Sequence, residues 1–478
     1  MVTKGIFQET VAKAVLILSG FVLNIFLARK LGPAEYGIVG IVSSILFVFE
    51  IFLTNGIRQS ISKIISSRSV NLKAFWKKSF AIQMILCLIL IVIGLLTLNW
   101  IVDWLKIEPY KQFLFLIFLI IPFEGAFYVN MGFLNGFQRY RQHAFANSAY
   151  SLTRVVFSLL FLYVLNNGVL AVLLGTLIGY AVSPFFTKIA WAKEKSDESV
   201  TSRTLLSITM GTLIFYLLVN IFMNLDVLLL RGFGMSEIQV GYYKANASIG
   251  IAVYFLFSSV YQVAYPLLSK LYAQKAIVDL RKVVNTLFLS ILYATSLAFV
   301  FTTFFSRDVI LLLFGSKYGS STGILPWYVL GIGLLSLVIM LGNMMIAFEH
   351  NYVYLLFLFI ALVFYVFLVY VLIPSITLLA APVALTIVSL LIIGLLIYLI
   401  NRKTAYLFEV KKIALNIGWL TLTIAVSISL YNYLGNYANH YVVGGLLFIV
   451  YSLVCFLTSN EVRSSVMNSV AILAGAKK

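Results

Sequence analysis

The sequence predicts an all-α polytopic membrane protein of about fourteen transmembrane helices, arranged as two six-helix bundles in a parallel repeat plus two C-terminal helices. Three observations carry this expectation. Of 478 residues, 62% are hydrophobic and 10% charged, and the mean hydropathy is +1.03. A soluble domain instead has about a quarter charged residues and under half apolar ones. The apolar residues also gather into stretches long enough to cross ~30 Å of hydrocarbon, and the basic residues divide unequally between alternate loops.

In order, the stretches fall at about 7–28, 36–57, 79–99, 112–135, 144–165, 169–191, 205–230, 242–267, 285–305, 323–347, 352–373, 377–400, 413–433 and 441–458. Each is expected to be a helix, the form in which a single segment satisfies its own backbone hydrogen bonds in lipid. Lys4 precedes the first stretch, but no small-residue cleavage site follows it, so that stretch reads as a mature helix rather than a signal peptide. The expected division is a first bundle over 1–203, a second over 204–403, and two further helices with a tail over 404–478.

The loop charges orient these spans. Arg58, Lys63, Arg68, Lys73, Lys77, Lys78, Arg139 and Arg141 fall on one side, as do the basic residues at 188–203, 270–282 and 402–412 and those at the two ends. That side holds 24 basic residues against 7 on the other, namely Arg29, Lys30, Lys106, Lys111, Arg231, Arg307 and Lys317. Under the positive-inside rule the richer side is cytoplasmic. An even number of spans then places both termini there, in a multi-pass protein of the plasma or inner membrane. The net charge of +18 is loop charge of this kind, so no nucleic-acid partner is expected.

Several function classes are disfavoured. No loop exceeds about 22 residues, which leaves no room for a soluble catalytic domain, and the chain is not expected to be an enzyme. A membrane glycosyltransferase would be expected to carry a sizeable outer loop, whereas the first outer loop here has about seven residues. The sequence has no GxxxxGK[ST] phosphate cradle. His143, His350 and His440 stand singly, and Cys87 and Cys455 lie far apart in apolar runs, so neither a metal site nor a disulfide framework is expected. No cofactor is expected beyond Na⁺ or H⁺ as a coupling ion.

An internal repeat is legible. Arg29-Lys30-Leu31-Gly32-Pro33-Ala34-Glu35 and Arg231-Gly232-Phe233-Gly234-Met235-Ser236-Glu237 share Arg-x-(Leu/Phe)-Gly-x-x-Glu with identical spacing. Each is followed by a Gly and a Tyr at the start of the next helix, and Ser62-Lys63-Ile64 is echoed by Ser269-Lys270-Leu271. The repeats are six spans apart, so both halves run the same way through the membrane, an arrangement that carries substrate between the halves.

Ionisable residues inside apolar runs are the site candidates, because a charge in hydrocarbon is costly and faces an interior or a partner. Arg154 lies about eleven residues from either end of its stretch. It is placed either to hold a phosphate or sugar-acid group with its planar donor fork or to pair with Glu124. Lys13 and Lys244 face the cavity or snorkel to headgroups. Arg58 meets an anionic headgroup at the cytoplasmic end or is one more loop charge. The buried acids are Glu50, Glu124 and Asp226, which would exchange protons, hold Na⁺ or form local pairs, Arg231 being near Asp226. Asn24, Asn55, Asn130, Asn220 and Asn224 add polar groups that bind sugar or join helices.

The run Leu27–Gly37, with its Leu-Gly-Pro-x-x-Tyr-Gly core, resembles the first-loop signature of Wzx-type polysaccharide flippases. These belong to the multidrug/oligosaccharidyl-lipid/polysaccharide exporter superfamily. Asp226–Leu230 with Gly241–Ala245 is similar to that family's helix 7–8 region, and Gly132–Arg139 resembles its cytoplasmic turn. The resemblance runs in patches through about 270 residues. It implies a V-shaped, MATE-like pair of bundles working by alternating access. The implied cargo is a polyprenyl-(di)phosphate-linked oligosaccharide, moved from the cytoplasmic to the outer leaflet for glycan export. It also implies membrane lipids and a glycan polymerase or ligase as partners, cavity cations on helices 1, 2 and 8 (where Lys13, Arg58 and Lys244 lie) and cation coupling near Asp226. The competing reading is an H⁺- or Na⁺-coupled antiporter of drugs or organic cations. Fourteen spans favour the flippase, while three buried bases against three buried acids leave the interior charge near neutral.

Overall fold

The computed structural model describes the backbone of residues 2–54, 57–67, 71–187, 202–347, 353–404, 407–434 and 440–458. Within these, the side chains of 2–13, 66–67, 202–213, 256–267, 269–270, 273, 347, 353, 403, 412, 440 and 455–458 are outside the description. The described residues form fourteen α-helices with four short 3₁₀ turns and contain no strand. The helices are α1 (Val2–Thr54), α2 (Ile57–Ser67), α3 (Leu72–Leu105), α4 (Lys111–Gly136), α5 (Tyr140–Leu165), α6 (Gly168–Val182) and α7 (Ser202–Gly232). They continue as α8 (Glu237–Ala273), α9 (Ile277–Phe314), α10 (Ile324–Ala347), α11 (Val353–Ile376), α12 (Ala380–Lys403), α13 (Val410–Leu434) and α14 (His440–Thr458).

Each apolar stretch falls on one of these helices within the described residues, the first two sharing α1. Ten helical segments among the described residues are long and apolar enough to cross a membrane, and two of them, Ala14–Ile65 and Tyr354–Arg402, exceed twice the length of one crossing. The chain is therefore a multi-pass membrane protein. Many large apolar side chains are exposed to the outside, among them Leu88, Leu96, Leu152, Val156, Phe359 and Phe367. Such a surface suits lipid and not water.

α1 is two arms joined at Gly32, whose φ of 78° and ψ of 176° leave the helical region. A positive φ suits glycine, which has no Cβ, and Pro33 then opens the second arm at a position where its missing N–H costs nothing. The arms fold back on each other. The Tyr36 hydroxyl donates to Asn24 Oδ1 at 2.9 Å, although residues twelve apart on a straight helix stand about 18 Å apart. The loop expected between the first two stretches is thus reduced to a single non-helical residue.

The contact pattern divides the chain into two compact units, Met1–Ala245 and Asn246–Lys478. In the first, α5 packs on α6 and α1, α4 packs on α2, α3 and α6, and α7 packs on α1. α2 is an amphipathic helix that the hydropathy reading left within a loop. Its Ile57, Ile61 and Ile64 lie on one face against Leu72 and Phe75 of α3 and Val129 and Phe133 of α4. In the second unit, α10 is buried almost end to end between α9 and α12, with Ile332, Leu335, Leu337, Val338 and Leu341 fully enclosed. α11 lies on α12, and α13 and α14 pack on each other and on α9.

Candidate functional site

Among the described residues, the buried charges of the first unit form two clusters. One lies among α1, α4, α5 and α6, where close helix packing is made by small residues. A Cβ on Gly175 would overlap Ser158 and lie 2.8 Å from the Arg154 carbonyl oxygen, and one on Gly179 would lie 3.1 Å from the Tyr150 ring. This draws α6 onto α5 beside Arg154 and stacks Tyr150 on Tyr180, with ring centroids 4.3 Å apart. Phe127 of α4 packs against Tyr128, Tyr150 and Tyr180.

Within this aromatic frame the three ionisable groups have distinct partners. The Tyr128 hydroxyl donates to Glu50 Oε1 at 3.2 Å, and the Tyr180 hydroxyl donates to Glu124 Oε1 at 3.1 Å. The Arg154 guanidinium has Tyr150, Glu50 and Tyr180 as its electrostatic neighbours. Its tip reaches the first arm of α1, where a Cβ on Gly20 would lie 3.7 Å from Nη2. Among these ionisable groups, two buried atoms lack a hydrogen-bond partner: Arg154 Nε, a donor, and Glu124 Oε2, an acceptor. Arg58 of α2 lies at the margin, its Cζ 5.7 Å from the centre of the Tyr128 ring.

The second cluster joins α1, α7 and the first turns of α8. Asp226 is 4% exposed, and both its oxygens are occupied. Oδ2 accepts from the Tyr243 hydroxyl at 2.7 Å, and Oδ1 accepts from the Val227 backbone N–H at 2.8 Å. Asn24 and Asp226 each stand five residues before the arginine of their own motif, and each accepts a tyrosine hydroxyl. Lys244 lies within electrostatic reach of Asp226, its stem against α1, where a Cβ on Gly40 would lie 3.1 Å from Lys244 Cγ. The starts of the second arm of α1 and of α8 cross in backbone contact. A Cβ on Gly37 would overlap the Glu237 carbonyl oxygen, and one on Gly241 would overlap that of Pro33.

The sequence candidates therefore separate. Glu50, Glu124, Arg154 and, at the rim, Arg58 come together, while Asp226 and Lys244 form a group of their own. Lys13 lies on the first arm of α1 with its side chain outside the described residues. The local pair weighed for Asp226 does not form, because Arg231 is engaged elsewhere. It donates to the backbone oxygens of Leu105, Lys106 and Met235 and to Glu237 Oε1. Arg154 has a hydrogen bond to Tyr150 and Glu50 among its electrostatic neighbours, and it also acts on Glu124.

Of the amides, Asn130 joins Trp76 to Thr187. Asn220 and Asn224 bond back along α7, and Asn55 lies outside the described residues. Sequence reasoning missed Tyr128, Tyr150 and Tyr180. For two of them a signal existed: Tyr128 follows Glu124 by four residues and Tyr150 precedes Arg154 by four, the spacing that puts side chains on one helix face.

The Tyr243–Asp226 contact yields a prediction. A buried hydrogen bond to a charged group contributes about 1.5–3 kcal/mol. Tyr243→Phe should lower the unfolding free energy of the purified protein in detergent by that order, with less than half the loss in an Asp226→Asn background. Equal losses in the two backgrounds would mean that the hydroxyl does not act through Asp226.

Helices of membrane-crossing length with charge buried among tyrosines place the chain in the class of polytopic membrane proteins, and the solved folds it resembles are those of a flippase and of MATE transporters. The chain is similar to the lipid II flippase MurJ in an inward closed conformation, with a TM-score of 0.71 and 14% identity over 94% of this chain and 99% of that one. It is also similar to an inward-facing multidrug resistance MATE family transporter of the MOP superfamily, with a TM-score of 0.66 and 16% identity over 82% of this chain and 95% of that one. A MATE structure in complex with MaD3S follows, with a TM-score of 0.62 and 16% identity over 84% and 96%. At such identities the likeness is one of fold. No curated protein matches the chain. Residues 2–272, more than half of the chain, match the family described as "Polysaccharide biosynthesis protein". The chain belongs to that family.

Proposed function

We propose that the protein is a flippase that moves a polyprenyl-(di)phosphate-linked oligosaccharide from the cytoplasmic to the outer leaflet by alternating access. The observation that carries this reading is Arg154. It is a guanidinium at mid-helix, half-buried, with its Nε unpartnered and no closed ion pair to Glu50 or Glu124 among the described residues. A cation held near the bilayer centre without full compensation is suited to an anionic group passing through hydrocarbon, and a guanidinium fork suits phosphate oxygens. Family membership and the flippase fold support the same reading.

In this reading Arg58, Lys13 and Lys244 meet the headgroup on its way in or along the path. Glu50, Glu124 and Asp226 are the acids available to a coupling H⁺ or Na⁺. The excess of loop lysine and arginine on the Arg58 side supports cytoplasmic termini in the plasma or inner membrane. A glycan polymerase or ligase would then receive the product. The test is transfer of a fluorescent polyprenyl-diphosphate oligosaccharide between leaflets of proteoliposomes. Protein-dependent transfer is expected. Absence of transfer, together with H⁺- or Na⁺-dependent efflux of an organic cation, would overturn the proposal.

A further inference from the structure

Arg154 is seated by a frame of aromatic rings and a glycine. Tyr150 lies one helical turn before it on α5, the spacing that puts two side chains on one face. The Tyr150 residue is 5% exposed, and its ring stacks on Tyr180 of α6 with centroids 4.3 Å apart and planes 21° from parallel. Phe127 of α4 lies against both rings, at 5.4 Å from Tyr150 and 5.6 Å from Tyr180. A Cβ on Gly179 of α6 would stand 3.1 Å from the Tyr150 ring and 3.4 Å from Arg154 Cβ. One glycine therefore seats the tyrosine and the root of the arginine side by side, and neither has room to swing toward α6.

The hydroxyls of the stacked pair go to different groups. Tyr180 donates to Glu124 Oε1 at 3.1 Å, and the Tyr150 hydroxyl is hydrogen-bonded to the Arg154 guanidinium. The nature of that partner matters for an anion site. A carboxylate closed onto the fork would fix its direction but cancel its charge, and an arriving phosphate would have to displace it. A phenol fixes the direction and leaves the charge in place. Its ring is already immobilised by packing, so the long arginine side chain does not have to be ordered afresh each time an anion binds.

We infer that Tyr150 is the positioning residue of the anion site. Packed on Tyr180, Phe127 and Gly179, it holds the Arg154 fork in the orientation that receives a diphosphate and keeps the positive charge uncompensated. It acts through Arg154 and has no need to touch the substrate.

The inference rests on the flippase reading, and its test separates the two. The probes are farnesyl diphosphate and farnesol, its uncharged alcohol, each bound to the purified full-length protein in detergent. Both carry the same apolar chain, so the ratio of their affinities reads the headgroup alone. The wild-type ratio should favour the diphosphate. Tyr150→Phe keeps the ring and its stack and removes only the hydroxyl. It should lower the ratio about tenfold, the order of one charge-assisted hydrogen bond, while farnesol binds as it does to the wild type. In an Arg154→Gln background, where the fork is absent, Tyr150→Phe should leave the ratio unchanged.

An unchanged ratio in Tyr150→Phe, a loss of farnesol affinity as large as that of the diphosphate, or an equal fall of the ratio in the Arg154→Gln background would overturn the positioning role and leave the anion site standing. A wild-type protein that does not distinguish the diphosphate from the alcohol would overturn the anion site and the role of Tyr150 with it.

Discussion

Replacing Arg154 by alanine is expected to abolish transfer of the lipid-linked oligosaccharide while leaving a folded protein. Charge-assisted hydrogen bonds to a phosphate group are worth roughly 2–3 kcal/mol, which corresponds to about 30- to 150-fold in apparent affinity. Arg154→Lys should retain part of the activity, because an ammonium keeps the charge but loses the planar fork. Arg154→Gln controls for side-chain volume. Leaflet-transfer rates and diphosphate affinity, measured beside a thermal melt of each variant, check this. Full activity in the alanine variant would remove Arg154 from the binding site.

The second large effect is expected at the crossing of α1 and α8. A Cβ on Gly241 would fall on the carbonyl oxygen of Pro33, and one on Gly37 on that of Glu237. These obstacles are backbone atoms of helix starts and cannot rotate away as a side-chain tip can. Gly241→Ala should cost about 1–3 kcal/mol through overpacking, and Gly241→Leu should yield little folded protein. Gly234 gives the contrast. It has open space around it but a φ of +102°, so alanine there should cost backbone strain alone, about 1–3 kcal/mol, well short of the loss expected for Gly241→Leu. Melting temperatures of the three variants in detergent check the ranking, and an unchanged melt for Gly241→Ala would mean that the helices do not meet there.

Much of the fold was legible because hydrocarbon imposes a simple rule on composition. Long apolar stretches became helices, and the Leu31-Gly32-Pro33 signature marked a true break in helical geometry. Two features escaped. The polar residues of α2, Arg58, Gln59, Ser62 and Lys63, dilute its hydropathy, although Ile57, Ile61 and Ile64 repeat at helical spacing and all three are buried. Tyr128, Tyr150 and Tyr180 also escaped, since a membrane protein with 28 tyrosines gives no reason to single out three.

The site was legible in part. A charge in an apolar run identifies itself, so Glu50, Glu124, Arg154 and Asp226 stood out. Their partners depend on how helices pack. Arg231 is nearer to Asp226 in sequence than Tyr243 is, yet its side chain is committed to the end of α3, and the tyrosine takes the carboxylate.

The turn at Gly32 also sets how independently the two arms of α1 can move. Between them only one residue leaves helical geometry, so the slack that a loop of several residues would give is absent. The Tyr36–Asn24 hydrogen bond spans the corner, so a tilt of one arm is passed to the other through a short stiff joint.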